Sequence, residues 1–184
     1  MKNLRILAIA VVTVISLSAC SKDDPKPVNE QEVLTTVITT LTGGGQTIAL
    51  QVRDLDGNGP NEPVVTVSGN LKAATNYTGT VTFLNETTSP VSNTTAQILT
   101  EGADHQLFFQ APSAIGTFAY TDQDANGKPI GLAFTLTTGA ATTGNLTVTL
   151  KHLPNKSAAG VSTGDITNAG GATDASVRYP IVIQ

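Results

Sequence analysis

The chain reads as an all-β protein: an antiparallel β-sandwich of immunoglobulin-like architecture, held together without a disulfide. Three observations predict this. Apolar and polar residues alternate with period two through a succession of short runs, the pattern of strands with one buried face. Threonine, β-branched and polar, recurs on the wet side of those runs. Gly, Asn, Asp and Pro separate them, as turn chemistry requires. The sole cysteine among 184 residues is Cys20, so no internal disulfide can form, and the chain has no tryptophan for the Cys–Trp–Cys core of an antibody domain.

The expected strands follow in order. Val33 to Thr42 is strand-like and ends in Gly43-Gly44-Gly45-Gln46. Thr47 to Leu55 places Ile48, Leu50 and Val52 on one face and Ala49, Gln51 and Arg53 on the other. Val64 to Leu71 comes next, then Tyr77 to Leu84, where Tyr77, Gly79, Val81 and Phe83 share a face. Ser89 to Asp104 breaks the period. Ser89-Pro90 suits a cap and first helical position, and Ala96 to Glu101 holds helix formers, which predicts one short helix near 90–104. Leu107 to Gln110, Gly116 to Thr121, Ile130 to Thr137, Leu146 to His152 and Val177 to Ile183 complete the strands. Leu153 to Ala175 has no strand pattern. Its length suits either a binding loop or a surface excursion.

Ahead of this domain, Lys2 and Arg5 precede the uncharged run Ile6 to Leu17. That run is short of the roughly 20 apolar residues that span a bilayer, but it suits an export signal. Leu17-Ser18-Ala19-Cys20 resembles a bacterial lipobox, which implies cleavage before Cys20 and lipidation of its sulfur. The expected organisation is a signal peptide at 1–19, a lipidated Cys20 with a polar tether to residue 31, and a single sandwich domain at 32–184. The partner so implied is the membrane, reached through the lipid anchor. Loss of Lys2 and Arg5 takes the formal charge from −4 to −6, which argues against nucleic acid as a partner. Few aromatics argue against a sugar-stacking platform.

Lys22-Asp23-Asp24, directly after Ser21, resembles the acidic export signal of Bacteroidota surface lipoproteins. The resemblance implies a place on the outer face of the outer membrane. Two further blocks, Asn126 to Gly139 (NGKPIGLAFTLTTG) and Lys151 to Lys156 (KHLPNK), are similar to those of a group of small, uncharacterised Bacteroidota outer-membrane lipoproteins. Some of that group carry the label "type 1 periplasmic binding fold". Such a two-lobed fold needs alternating strands and helices, whereas the residues here predict strands.

Two acidic loops share a design. One holds Asp54, Asp56 and Asn58, with Glu62 beyond; the other holds Asp122, Asp124 and Asn126. Alternating oxygen donors followed by Gly can wrap Ca²⁺. The twelfth position, which an EF-hand gives to a bidentate acid, is Val65 or Ala133 here, and Asp, Asn and Gly equally build plain turns. The two histidines, His105 and His152, are the candidates for Zn²⁺ or Cu²⁺, with Asp104 or Asp165 as a third ligand. His152 shares the parity of the apolar face of its strand, Leu146, Val148 and Leu150. No His-Glu-x-x-His motif is present, and Cys20 is committed to lipid on this reading, so the chain is not expected to be an enzyme. The expected function is a surface-exposed outer-membrane lipoprotein acting as a non-catalytic binding module for a small ligand or an outer-membrane protein. The alternative is a metal-binding lipoprotein, for Zn²⁺ or Cu²⁺, beside an outer-membrane transporter.

Overall fold

The structure, a computed structural model, describes residues 33–57 and 59–184. The signal peptide, Cys20, the tether and Asn58 lie outside the described residues.

The architecture follows from hairpins whose apolar parities agree. β1 (Thr36–Gly43) and β2 (Gln46–Arg53) pair antiparallel, with Gly43 opposite Gln46. Gly44 and Gly45 between them have φ of 56° and 74°, so both central residues of this tight turn need the left-handed freedom that glycine has. The register sets Val37, Thr39 and Leu41 against Val52, Leu50 and Ile48, all six buried. β3 (Val64–Val67) flanks β2, and β4 (Asn76–Asn85) flanks β1. β8 (Ala133–Thr138) and β7 (Gly116–Tyr120) extend this sheet in the order β3-β2-β1-β4-β8-β7, while β5 (Ser92–Asn93) pairs the far end of β4. The second sheet has the order β10-β9-β6, from β10 (Ala172–Ile183), β9 (Thr142–His152) and β6 (His105–Gln110).

The sheets pack face to face on one core. Leu41, Leu50, Phe83 and Phe134 come from the first, and Leu107, Leu150, Tyr179 and Ile181 from the second. Tyr179 donates its hydroxyl to the Val37 carbonyl at 3.1 Å, which satisfies a buried phenol and ties one sheet to the other. Burial pushes that phenol up to about 12. Gly79 lies opposite Phe134, whose ring occupies the space over it: a Cβ at 79 would stand 2.2 Å from the ring. At one margin Leu71 bridges Ile183 in parallel, joining the first sheet's connection to the end of β10.

The one short helix expected near 90–104 is α1, Thr95–Thr100. Two details of the connections are corrected. Ser89-Pro90 lies ahead of β5 rather than at the start of the helix. The 153–175 segment ends sooner than its composition suggests, because β10 begins at Ala172. Its remainder folds back over the outer face of the second sheet, where Val161 and Ala169 bury against Phe108. Gln106 reaches across to the Val161 carbonyl at 2.7 Å. That packing fixes the segment as cladding for the sheet.

Candidate metal centre

His105 opens β6 and His152 closes β9, and the two are direct cross-strand partners. They continue the inward row of Leu107 and Leu150, so both imidazoles face the interior at one end of the sandwich. Their rings stack with centroids 4.7 Å apart. The third member, Asp174, comes from β10. Thr173 pairs with Lys151 and Ala175 with Leu150, so Asp174 is the extra residue of a β-bulge between them. Bulges re-aim side chains, and this one directs a carboxylate at the histidine pair. Asp174 Oδ2 lies 3.6 Å from His105 Nε2 and 3.8 Å from His152 Nδ1. One donor atom from each residue falls within 4.8 Å of the others.

Hydrogen bonding decides what these atoms can do. His105 Nδ1 sits 3.1 Å from the Glu101 carbonyl. A carbonyl only accepts, so Nδ1 carries a proton and donates it; in the neutral ring Nε2 then keeps its lone pair. Nε2 and Asp174 Oδ2 are both fully buried and have no hydrogen-bond partner. With a neutral ring these are two facing acceptors, an arrangement costing about 1–3 kcal/mol per unsatisfied group. A shared proton would draw them to about 2.8 Å, well inside the observed 3.6 Å. Zinc bonds of about 2.0–2.1 Å place neighbouring tetrahedral ligands roughly 3.3 Å apart. The observed 3.6 and 3.8 Å are nearer that spacing. A histidine whose other nitrogen donates to a backbone carbonyl is also how metal-binding imidazoles are held.

The expected third ligands are corrected here. Asp104 contributes its backbone: its carbonyl accepts from Leu153 N at 2.7 Å, pinning the sharp turn after His152, where Leu153 has φ 51°. Asp165 starts a 3-10 turn, accepting from Thr167 N. Neither belongs to the cluster around the histidines.

The acidic loops use their carboxylates as turn-builders. Asp54 accepts from Gly57 N, and Asp56 from Asn61 N and its side-chain amide. That amide holds the Asp56 carboxyl below its ordinary range. Asp122 spends one oxygen on Gly131 N and the other on Ala133 N. Asp124 accepts from Asn126 N, Lys128 N and Lys156 Nζ. Among the described residues neither loop brings together three His, Cys, Asp or Glu side chains as the histidine cluster does. Lys156, 6 % exposed, also donates to the Gly102 and Pro129 carbonyls, so one buried ammonium fastens three segments.

One motif escaped the sequence reading. Gly160-Val161-Ser162-Thr163-Gly164 spells Gly-x-Ser-x-Gly, the pattern of a hydrolase nucleophile elbow. Here it forms a 3-10 turn, Val161–Thr163, between two left-handed glycines. The elbow needs a strand before the serine and a helix after it. This turn also packs on the outer face of the second sheet, whereas the histidines face inward.

No protein-family model matches the chain, and no curated protein or solved structure does either.

Proposed function

We propose that this protein is an exported, lipid-anchored binding module whose cargo is a divalent transition metal, Zn²⁺ or Cu²⁺, held by His105, His152 and Asp174. The observation carrying the reading is the buried, close pair His105 Nε2 and Asp174 Oδ2, neither with a hydrogen-bond partner, beside a second imidazole. Two nitrogens and one carboxylate oxygen suit both ions. The address rests on the sequence: the lipobox-like Leu17-Ser18-Ala19-Cys20 and the acidic Lys22-Asp23-Asp24 support a place on the outer membrane's surface. The resemblance to small Bacteroidota lipoproteins supports the same address. An outer-membrane transporter is the partner that a surface metal carrier would serve. The reading is of carriage, in line with the non-catalytic function expected from the sequence.

Calorimetric titration of the purified protein with Zn²⁺ and Cu²⁺ tests this. Tight one-to-one binding is expected, and His105→Ala, His152→Ala and Asp174→Ala should each abolish it. A wild-type protein that takes up neither ion overturns the proposal.

A further inference from the structure

We infer that the metal enters and leaves this centre past His152, and that the strained turn at Leu153 sets the rate of that exchange. The inference rests on the metal reading above and names how the same site loads and releases its ion.

Burial decides the route. The side chain of His105 is 1 % exposed and that of Asp174 4 %, whereas that of His152 is 15 % exposed. The His105 ring is also held through Nδ1 by the Glu101 carbonyl. Asp174 is fixed inside β10, between Thr173 and Ala175, which both pair with β9. His152 is the last residue of β9, and the chain leaves it at once through an exposed Leu153. An ion held by the three side chains therefore has its thinnest cover at His152. That ligand also sits where a strand ends, so the least structure has to move with it.

The turn after His152 is strained. Leu153 has φ 51°, a left-handed conformation that costs an L-residue a factor of about 5–30 in an equilibrium. Pro154 follows, and a residue before proline favours extended backbone instead. Two contacts keep the turn closed. Leu153 N donates to the Asp104 carbonyl at 2.7 Å, next to the start of β6. Gly171 lies so near on the β10 side that a Cβ there would stand 2.2 Å from the His152 carbonyl oxygen and 2.8 Å from that of Leu153. Relaxing Leu153 to extended backbone breaks the Asp104 bond and frees His152 to swing from the other two ligands. The strain lowers the cost of opening a site that is otherwise sealed.

Leu153 is 60 % exposed, so its side chain can be changed without disturbing the core. Leu153→Asn tolerates the left-handed conformation. Leu153→Ala keeps the strain and loses the same exposed side chain. Stopped flow follows Zn²⁺ uptake, and Zn²⁺ release to an excess of a chromogenic chelator, at chelator concentrations where the rate no longer rises. Leu153→Asn should melt higher than wild type without metal, and should take up and release Zn²⁺ at least about fivefold more slowly. Its Kd should be unchanged, because opening precedes both steps and the closed site is the same. Leu153→Ala should exchange at the wild-type rate. Unchanged exchange rates or an unchanged melting temperature in Leu153→Asn overturn this inference alone. So does equal slowing in Leu153→Ala, or slower release matched by tighter binding. Failure of the wild-type protein to take up Zn²⁺ overturns the metal reading itself, and this inference with it.

Discussion

Asp174→Asn separates a metal centre from a structural ion pair, because the two accounts give opposite signs. In the metal-free protein with His105 neutral, Asp174 Oδ2 and His105 Nε2 are facing acceptors, both buried and both without a hydrogen-bond partner. Asparagine is nearly isosteric and brings an N–H that can donate to Nε2 after closing the 3.6 Å gap by a few tenths of an ångström. Curing the conflict should stabilise the metal-free protein by about 1–3 kcal/mol. For a domain of this size each kcal/mol moves the melting temperature by about 2–4 °C. The same change removes an anionic ligand, so the gain from metal should disappear. At an ion concentration of about a hundred times Kd, that gain is about 2.7 kcal/mol for the wild type. Differential scanning calorimetry with and without Zn²⁺, after chelator treatment, reads both effects. Asp174→Asn should melt higher than wild type without metal, and should show no rise when Zn²⁺ is added. A variant that melts lower without metal, or that still responds to Zn²⁺, would refute the reasoning. A structural ion pair predicts the first of those results, since cutting a buried pair is costly.

Other parts of the fold make their own predictions. Lys156→Met should cost about 3–5 kcal/mol in urea unfolding, because it strands the Asp124 carboxylate and leaves the Gly102 and Pro129 carbonyls unpaired; a loss under 1 kcal/mol, on the scale of about 1 kcal/mol for exposed pairs, would contradict the role given to this ammonium. Gly79→Ala should lower stability by about 1–3 kcal/mol, since its Cβ would collide with the Phe134 ring, and an unchanged urea midpoint would show that the ring yields freely. Glu86, hydrogen-bonded by Arg53 and then Thr36, has its carboxyl held down at about 2 against an ordinary 4.5. Its stabilising contribution is therefore full above the unfolded value and is lost as pH falls from about 4.5 toward 2. Glu86→Gln should flatten the acid limb of the melting-temperature profile, and parallel profiles for variant and wild type would argue otherwise. Protease added to intact cells should digest the domain if Lys22-Asp23-Asp24 directs it to the surface, and complete protection would contradict that address.

The sandwich was legible because its information is local. Period-two runs such as Ile48, Leu50 and Val52 announce a buried face wherever they occur, and Gly44-Gly45 announces the turn between two of them. His152 was legible for the same reason, since it extends the apolar parity of Leu146, Val148 and Leu150. Its meeting with His105 was not, because the register of β6 against β9 is a long-range fact that no run of residues encodes.

Asp174 was hidden twice. Ala172 to Ser176 carries no apolar alternation, so the first part of β10 read as loop, and a bulge then re-aims the carboxylate. Asp104 drew attention by standing next to His105, yet it contributes backbone groups, its N–H donating to the Glu101 carbonyl and its carbonyl accepting from Leu153 N. The acidic loops show the converse problem. Asp, Asn and Gly serve a calcium loop and a plain turn equally well, and only the direction of each carboxylate separates the two. In Asp122 both oxygens turn back onto amides of the chain itself.

The most direct test is anomalous diffraction at the zinc edge from crystals grown with Zn²⁺. The account predicts one peak about 2.0–2.2 Å from His105 Nε2, His152 Nδ1 and an Asp174 oxygen. A peak at Asp54 and Asp56 instead, or none between the two histidines, would contradict it.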